Sequence, residues 1–261
     1  MKAWKPVQNL IFDLDDTLYQ RRDPYLAAFH ACFGQIQGLD EDALFRESRI
    51  IGDEEYARRI RGEISMREME VRRTTRTLQK FGIPVTIEEA IRFERAYQEA
   101  LKTIRVNAGM QKVLDLAGKQ GHFLGILTNG PRERQLGKFE ALGLSRWIPK
   151  DRLVISSAVG ASKPDPAIFR AMEERFCLDP ESTCMIGDSE ETDIRGAKRA
   201  GWHTILFAEP FLAQHKEETE ADAVAEGEAG LLALLREDGR EEKRHLTTEP
   251  FSAKIRTTEI D

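Results

Sequence analysis

The chain has 261 residues, of which 41% are hydrophobic and 32% are charged, so it is long enough for one large domain or for a core domain with a smaller appendage. Its 39 Lys and Arg residues nearly balance its 45 Asp and Glu residues, and the net charge is −6. This balance argues against a nucleic-acid-binding protein, which needs a basic face. The three cysteines, Cys32, Cys177 and Cys184, are far apart in the sequence. This spacing argues against a disulfide framework and against a metal-binding C-x-x-C pair, and we expect the cysteines to be small buried residues.

The first predicted element is a short buried strand in the segment "VQNLIFD". A continuous apolar run followed by a polar loop is typical of a strand in a parallel sheet. Neither this run nor any later one is long enough to cross a membrane, and the N-terminus lacks the pattern of a signal peptide. We therefore expect no membrane partner and a cytoplasmic location.

The next segment, from about Tyr25 to Ile104, has the pattern of α-helices throughout. Its apolar residues recur at helical spacing within dense mixed charge, as in amphipathic helices with one solvated face. Several helices have clear starts, and two starts are capping boxes, in which a Ser or Thr precedes a Glu three residues later. The predicted N-caps are Asp40, Ser65 and Thr86, and the capping-box partners are Glu68 and Glu89.

From Gly109 onward, predicted strands and helices alternate. The strands are "HFLGILT", "RLVISS", "TCMIGD" and "WHTILF", and a weaker strand, "DAVAEG", precedes the helix "EAGLLALLR". Such alternation is typical of βαβ units and a largely parallel sheet. The segment from Glu237 to the end has few large apolar residues and no periodicity, which predicts a poorly ordered tail.

The order of these elements predicts an α/β fold: a Rossmann-like parallel-sheet core with an inserted all-helical domain. One strand opens the chain, the helical segment interrupts, and the alternation then resumes. The predicted boundaries are 1–20 and 105–236 for the core, 21–104 for the helical domain, and 237–261 for the tail.

Four predicted loops carry polar side chains near strand ends. Because the carboxyl ends of parallel strands meet at one edge of a sheet, we expect these side chains to lie together. Each motif alone is explained by a turn, a helix cap or a solvated loop, but their joint order favours one site. The side chains are Asp13 and Asp15 in "DLDDT", Thr128 and Asn129 in "ILTNG", Lys163 in "ASKPDP", and Asp188 and Asp193 in "GDSEETD".

The carboxylates of this predicted site indicate a bound divalent cation, because without one they would repel each other. Ligation by oxygen atoms selects a hard ion, and a site that also admits a phosphate group suits Mg²⁺. Lys163 and Thr128 are then available for a second anion. Phosphate is the obvious candidate for that anion.

The four motifs resemble those of the haloacid dehalogenase superfamily of hydrolases, and specifically those of its phosphatase-type members. The resemblance rests on "FDLDDTLY", "ILTNG", "SKPDPAIF" and "GDSEETDIRGAKRAG", and it covers residues 7–20 and 108–235. The helical segment matches only by its position, as a cap inserted between the first two motifs. The resemblance implies a Mg²⁺-dependent phosphatase whose partner is a small-molecule phosphate ester.

The resemblance assigns the chemistry to the first motif. Asp13 would be the nucleophile that forms an aspartyl-phosphate. Asp15 would act as the general acid for the leaving oxygen and then as the general base for the hydrolytic water. The carboxylates of Asp13 and Asp188 and the main-chain carbonyl of Asp15 would hold Mg²⁺, which offsets charge in the transition state.

The remaining motif residues would serve the phosphate group and its surroundings. By the same resemblance, Thr128 and Lys163 would hold phosphoryl oxygens, and Asn129 would be a further polar contact. Asp193 would orient Lys163 or support the metal ligands. Asp16 is interpreted as a bystander that faces solvent or caps the following loop.

Three other functions remain open on the sequence: a phosphomutase, a haloacid dehalogenase and a non-catalytic binding protein with this fold. Asp15 favours phosphate chemistry over dehalogenation, because a halide leaves without needing a proton. A phosphomutase shares the four motifs and transfers the phosphoryl group to a sugar instead of to water. The presence of every candidate catalytic residue argues against a non-catalytic protein.

The sequence favours a small phosphorylated metabolite as substrate, with nucleotide 5′-monophosphates and sugar or glycolate phosphates as the expected classes. The helical segment should supply the contacts that recognise it. Aromatic residues at helical spacing are usually core, however, and arginines in so charged a segment usually face solvent. The candidate contacts are Tyr25, Phe29, His30, Arg58, Arg59 and Arg61.

Overall fold

A parallel sheet forms the centre of the α/β part of the chain in the computed structural model, which describes residues 7–208 and 219–246. Each neighbouring strand pair in this sheet is parallel, so the predicted α/β class is confirmed, including the weaker last strand. The strands are β1 (Asn9–Phe12), β2 (Phe123–Thr128), β3 (Leu153–Ile155), β4 (Thr183–Gly187), β5 (His203–Ala208) and β6 (Ala223–Glu226).

The order of the strands places β1 in the middle of the sheet, as β3-β2-β1-β4-β5-β6. The chain runs outward from β1 through β2 to β3, and then crosses back to β4 on the other side of β1. Phe12, the last residue of β1, is level with Ile126 of β2 and with Ile186 of β4. The loops that follow β1, β2 and β4 therefore meet at the point where the strand order reverses, which is the usual ligand-binding edge of such sheets.

Helices cover the sheet and fill the interval between β1 and β2. We name the segment of residues 22–103 the helical insertion; it contains α1 to α4 and one short 3₁₀ turn. The helices are α1 (Arg22–Phe33), α2 (Glu41–Ile60), α3 (Met66–Lys80), α4 (Ile87–Ala100), α5 (Ala108–Lys119), α6 (Arg132–Ala141), α7 (Ser156–Val159), α8 (Pro166–Phe176), α9 (Arg195–Arg199) and α10 (Gly227–Leu246).

The predicted helix starts are confirmed. Ser65 and Glu68 form a complete capping box at the start of α3, and Thr86 and Glu89 form another at α4. The side chain of Asp40 accepts a hydrogen bond from a main-chain N–H in the first turn of α2. These caps satisfy main-chain N–H groups that have no partner within the helix.

The interior of the helical insertion is aromatic. The Tyr25 ring packs edge-on against Phe45 and Phe93, with centroids 5.4 Å and 5.2 Å away. Phe29 is fully buried, and the ring of His30 contacts a carboxylate of the neighbouring α2. Two of the three aromatic candidates for substrate contact, Phe29 and His30, therefore have structural roles instead, and Tyr25 packs mainly in this core.

Both faces of the sheet are covered by helices, as the alternation of side chains along β1 requires. Ile11 belongs to one buried cluster with Phe169 of α8. Phe12 belongs to the other cluster, with Leu114 of α5 and Leu231 of α10. The central strand is thereby held from both sides, which fixes the position of the loop that follows it.

Two details differ from the sequence predictions. Cys184 is buried as expected, but Cys177 is exposed at the C-terminal end of α8, where it has a left-handed conformation with φ of 54°. The helix α10 continues to Leu246, past Glu237, where the irregular tail was predicted to begin. The rest of that predicted tail, residues 247–261, lies outside the described residues. Within the described ranges, no helix is long and apolar enough to cross a membrane.

Candidate active site

Asp13 lies at the carboxyl end of the central strand. Its main-chain N–H donates to the carbonyl oxygen of Ile186 at 2.8 Å, so the pairing between β1 and β4 continues to this residue. Asp13 is only 7% exposed. Burial raises the pKa of its carboxyl from 3.8 to about 6, against the opposing pull of Lys163. Asp13 is thus fixed in position and holds a carboxylate that water does not stabilise.

Lys163 connects two of the predicted site carboxylates. Its Nζ lies 2.6 Å from Oδ1 of Asp13 and 2.6 Å from Oδ1 of Asp193. Burial opposes the charge of this ammonium, but the two carboxylates outweigh that effect and raise the pKa of Lys163 above its ordinary value. The lysine is therefore a fixed positive charge beside Asp13, where an anion bound at Asp13 would meet it.

Asp193 supports Lys163 from a turn that leaves room for its carboxylate. It lies in a short π-helical turn, Glu190–Ile194, and its Oδ2 accepts a hydrogen bond from the N–H of Ser189 at 3.1 Å. A side chain on Gly187 would place a Cβ 2.3 Å from that Oδ2. The glycine at the end of β4 therefore lets the carboxylate lie against the strand, close to Lys163.

Asn129 has a different role from the one implied for it. Its Nδ2 donates to the main-chain carbonyl of Lys163 at 2.9 Å, and its Oδ1 accepts from the main-chain N–H of the same residue at 2.9 Å. Both ends of the amide are therefore engaged with the loop that carries the lysine. The side chain fixes the Lys163 loop to the end of β2 and is not free to bind a phosphoryl oxygen.

Thr128 lies buried at the end of β2 and is connected to Asp15 through Gln135. The Nε2 of Gln135 donates to Oγ1 of Thr128 at 2.6 Å and lies 3.1 Å from Oδ2 of Asp15 and from the Asn129 carbonyl oxygen. Gln135 is itself buried. It was not among the predicted site residues, although it stands one helical turn from Lys138 on α6, a spacing that puts both side chains on one face.

Asp15 is held as a carboxylate by Lys138. The Nζ of Lys138 lies 2.7 Å and 2.8 Å from its two oxygens, and the Tyr19 hydroxyl donates to Oδ1. Although burial opposes ionisation, Lys138 and then Arg21 keep the pKa of Asp15 well below its usual range. In this arrangement Asp15 is ionised and carries no proton to donate.

Asp16 is not the solvent-facing bystander that the sequence suggested. It is 1% exposed, its Oδ1 accepts from the main-chain N–H of Arg21 at 2.8 Å, and its Oδ2 lies 2.5 Å from Nε of the same residue. The alternative interpretation, that it caps the following loop, agrees with these contacts. The residue takes a left-handed conformation with φ of 59°, which Asp tolerates better than most residues.

The arginines that were candidates for substrate contact are engaged elsewhere in the helical insertion. Arg58 and Arg61 both pair with Glu63, at 3.0 Å and 2.5 Å, and Arg59 lies over the Tyr56 ring. The charges of Arg58 and Arg61 are thus matched by a carboxylate on the same segment, and Arg59 packs on an aromatic ring. The insertion contacts the predicted site through Arg49 of α2 instead.

Asp13, Asp188 and Asp193 are suitable ligands for a divalent cation. Each offers a carboxylate oxygen, and these atoms lie within 4.8 Å of one another. Burial raises the pKa of the Asp188 carboxyl to about 6, as it does for Asp13, although Arg49 lies 2.7 Å away. Buried carboxylates of this kind are stabilised by a hard cation with oxygen ligands. The donor set fits Mg²⁺. Asp193 was predicted only to support the metal ligands or to orient Lys163, but its carboxylate lies close enough to the other two to be a ligand itself.

We expect the stability of the metal-free protein to fall as the pH rises from 4 to 7. Asp13 and Asp188 bind protons more tightly when folded, with pKa about 6 against 3.8, so the folded state loses stability as they ionise. The effect has an upper limit on the order of 3 kcal/mol per carboxyl. Urea unfolding in EDTA across this pH range measures it.

Added Mg²⁺ is expected to reverse most of this loss, and to raise the unfolding midpoint more at pH 7 than at pH 5, because it binds ionised carboxylates. Asp188→Asn should flatten the dependence on pH. A pH-independent stability in EDTA, or an equal effect of Mg²⁺ at both pH values, would contradict this interpretation of the acidic cluster.

Comparison with known proteins identifies relatives over most of this length. Residues 7–201 match the model of the family described as haloacid dehalogenase-like hydrolase. A glyceraldehyde 3-phosphate phosphatase of Pyrococcus furiosus is 33% identical over 145 residues, which are 54% of this chain and 60% of that protein. A protein of the same name from Methanopyrus kandleri is 27% identical over 208 residues, which are 76% of this chain and 83% of that protein. The matched stretch is thus less than two thirds of the Pyrococcus protein.

Solved structures share the fold over nearly the whole chain. The putative HAD-hydrolase YfnB from Bacillus subtilis, bound to magnesium, has a TM-score of 0.67 at 22% identity and covers 88% of this chain and 99% of its own. The L-2-haloacid dehalogenase RSc1362 has a TM-score of 0.70 at 18% identity and covers 89% of this chain and 100% of its own. At these identities the likeness concerns the fold. From the family match over residues 7–201, the chain belongs to the haloacid dehalogenase-like hydrolases.

Proposed function

We propose that the protein is a Mg²⁺-dependent phosphomonoester hydrolase that acts on a small phosphorylated metabolite through an aspartyl-phosphate on Asp13. The observation that carries this proposal is the surroundings of Asp13: a buried carboxylate, with the Lys163 ammonium 2.6 Å away and Asp15 two residues further on. The relatives named as phosphatases support the same chemistry.

The reaction has two halves. In the first, a carboxylate oxygen of Asp13 attacks phosphorus, the bond from phosphorus to the ester oxygen breaks, and Asp15 gives a proton to the leaving alcohol. In the second, Asp15 takes a proton from water, whose oxygen attacks phosphorus. The bond from phosphorus to Asp13 then breaks and releases inorganic phosphate. Lys163 and Thr128 hold the phosphoryl oxygens throughout.

The metal would be held by the carboxylates of Asp13 and Asp188, with the Asp15 main-chain carbonyl as a further ligand and Asp193 close by. When bound, Mg²⁺ supplies positive charge that offsets the charge of the phosphate and of the attacking carboxylate. The buried acidic cluster supports this assignment, because its donors are oxygen atoms and its carboxylates are costly to ionise.

The pairing of Asp15 with Lys138 keeps Asp15 ionised, which is the protonation state in which the second half of the reaction begins. The first half needs the proton on Asp15, and the contact with Lys138 opposes that. We therefore propose that Asp15 leaves Lys138 when the substrate binds. The contacts of Asp15 with Lys138 and Gln135, both on α6, mark that helix as the element against which this movement takes place.

A phosphate-release screen of small phosphate esters with Mg²⁺ tests the proposed function. We expect Mg²⁺-dependent release of phosphate from esters that include sugar phosphates, glycolate phosphate and nucleotide 5′-monophosphates. Beryllium fluoride with Mg²⁺ should inhibit, because it mimics the phosphoryl group on Asp13. Transfer of phosphate to a sugar without release would identify a phosphomutase. Absence of turnover with every ester would overturn the proposal and favour a non-catalytic protein.

A further inference from the structure

A cavity of about 180 Å³ lies between the helical insertion and the core, directly beside Asp15. Residues of α2, α3 and α4 form one wall, and the loop after β2 together with α6 forms the other. The ester phosphate is proposed to bind at Asp13, and Asp15 is proposed to protonate the leaving oxygen. The part of the substrate beyond that oxygen therefore lies in this cavity.

The charged side chains that line the cavity are mainly positive. They are Arg21, Arg49, Arg73, Arg134 and Lys138, against the carboxylates of Asp15 and Asp53. Lys163, which is proposed to hold the attacked phosphate, is not part of this lining. The positive charge of the cavity is therefore additional to the charge that the transferred phosphoryl group requires.

All five cations have a carboxylate partner, and for three of them that pairing accounts for the side chain. Arg21 contacts Asp16, Lys138 contacts Asp15, and Arg134 of α6 contacts Glu70 of the helical insertion. These pairs hold the loop after β1 and connect the two walls of the cavity. They explain why these cations are present without the need for a ligand.

Among the described residues, Arg73 retains a donor without any partner, and Arg49 has a donor that makes no hydrogen bond. Arg73 donates to Glu94 through Nη2, at 2.9 Å and 2.7 Å, and Arg49 donates to Asp188 through Nη2 at 2.7 Å. In the described part of the chain, the Nε of Arg73 is buried without a hydrogen-bond partner. The Nε of Arg49 is also buried there without a hydrogen bond, but it lies 3.4 Å from Oδ2 of Asp16. A buried unpaired donor is costly, and such a group calls for a partner.

The position of Arg73 suits a ligand in the cavity. Its guanidinium carbon is 5.7 Å from the centroid of the Tyr97 ring, and both residues line the cavity with Met69 of α3. The aromatic ring and the methionine replace part of the water around the guanidinium, whose side chain is 19% exposed, and this strengthens its interaction with an anion. Arginine is also the residue best shaped to bind a carboxylate or a phosphate through two hydrogen bonds.

We propose that this cavity binds a second anionic group of the substrate, a carboxylate or a further phosphate, through Arg73 and Arg49. The proposal rests on the proposed phosphatase function, and it narrows the substrate class to small phosphate esters that carry another negative charge. Arg73 is the main specificity residue, because Arg49 also contacts Asp188.

Two pairs of esters test the proposal and distinguish the two kinds of anion. The carboxylate pair is 3-phosphoglycerate against glycerol 3-phosphate, and the phosphate pair is propane-1,3-diol bisphosphate against 3-hydroxypropyl phosphate. In at least one pair, we expect kcat/KM to be about tenfold or more higher for the ester that carries the second anionic group. Equal values within both pairs would overturn this inference alone, and so would turnover of other esters in the screen with none of these four. No phosphate release from any ester, these four included, would overturn the phosphatase function.

The variant Arg73→Gln/Glu94→Gln removes the guanidinium without leaving the buried Glu94 unpaired. In this variant, kcat/KM for the ester with the second anionic group should fall about tenfold, while kcat/KM for the other ester of the pair is kept. Arg76→Gln, one turn further along α3, is the matched control and should keep the wild-type preference. Arg76 pairs with Glu54 and Glu55 and does not line the cavity. An unchanged preference in the double variant would overturn the role of Arg73.

A measurement on the wild-type protein covers the case in which the double variant does not fold. The inhibition constants of 3-phosphonopropionate and propylphosphonate are compared, because neither phosphonate is hydrolysed and they differ only in the carboxylate. If the carboxylate is the second anion, we expect 3-phosphonopropionate to bind about tenfold more tightly. If a second phosphate is the second anion instead, we expect propane-1,3-diyl bisphosphonate to bind more tightly than propylphosphonate by the same factor. No difference in either comparison would contradict the proposal.

Discussion

Replacement of Asp13 by asparagine is expected to lower the rate of phosphate release by about 10⁴-fold or more. The amide has nearly the same shape as the carboxylate but is a far weaker nucleophile and a weaker ligand for a cation. Lys163 keeps its second partner, Asp193, at 2.6 Å, so its position should hold. Steady-state phosphate release with saturating Mg²⁺ measures the effect, and circular dichroism shows whether the fold is kept.

The same substitution should not destabilise the metal-free protein at pH 7. Burial makes the Asp13 carboxylate costly to ionise, so an uncharged amide there removes a cost of folding while it abolishes turnover. Asp23→Asn is a matched control, because that carboxylate is 77% exposed at the start of α1, and it should retain full activity. Substantial Mg²⁺-dependent turnover by Asp13→Asn would refute the assigned nucleophile.

The sheet and the convergence of the four motifs were predictable because both follow from local patterns. Short apolar runs between amphipathic helices specify parallel strands, and the carboxyl ends of such strands face one edge. Asp13, Lys163 and Asp193 were placed together on that argument, and the structure brings them within hydrogen-bond distance. The capping boxes at Ser65 and Thr86 were predictable for a similar reason, because both partners lie within one helical turn.

The side chains that surround Asp15 were not predictable, because their roles depend on contacts between distant segments. Gln135 and Lys138 lie on a helix whose sequence is an ordinary polar surface pattern, and they contact Asp15 across more than a hundred residues of chain. Arg49 and Arg73 belong to a segment with many charges, in which no spacing distinguishes the cations that line a cavity. Tertiary structure alone separates them from arginines such as Arg58, which pair with nearby glutamates.

The contacts that Asp16 and Asn129 make have a common physical reason. A polar residue in a loop is usually expected to face solvent or a ligand, but a buried loop must satisfy its own main-chain groups first. The Asp16 carboxylate accepts the Arg21 N–H, and the Asn129 amide pairs with both main-chain groups of Lys163. Both side chains therefore fix the loops that carry the reacting groups.

Asp15→Asn is expected to separate the two halves of the reaction. For an alkyl phosphate such as glycerol 3-phosphate, kcat/KM should fall by about 10²- to 10⁴-fold, because the leaving alkoxide no longer receives a proton. For p-nitrophenyl phosphate the leaving group needs no proton, so the enzyme should become phosphorylated on Asp13 and then react slowly with water. Rapid-mixing experiments should therefore show a burst of about one nitrophenolate per active site, followed by slow turnover.

Two further variants show whether the burst has this cause. Asp15→Asn leaves Lys138 without the carboxylate that it contacts at 2.7 Å, so the double variant Asp15→Asn/Lys138→Met is compared with the single variant. The burst should persist in the double variant, because the second half is slow for lack of a proton acceptor and not because the lysine is unpaired. Asp13→Asn/Asp15→Asn should show no burst, because the phosphoryl group then has no acceptor. If Asp15→Asn instead loses activity equally towards both esters and shows no burst, Asp15 serves to hold Lys138 and Gln135 in place, and proton transfer must be assigned to another group.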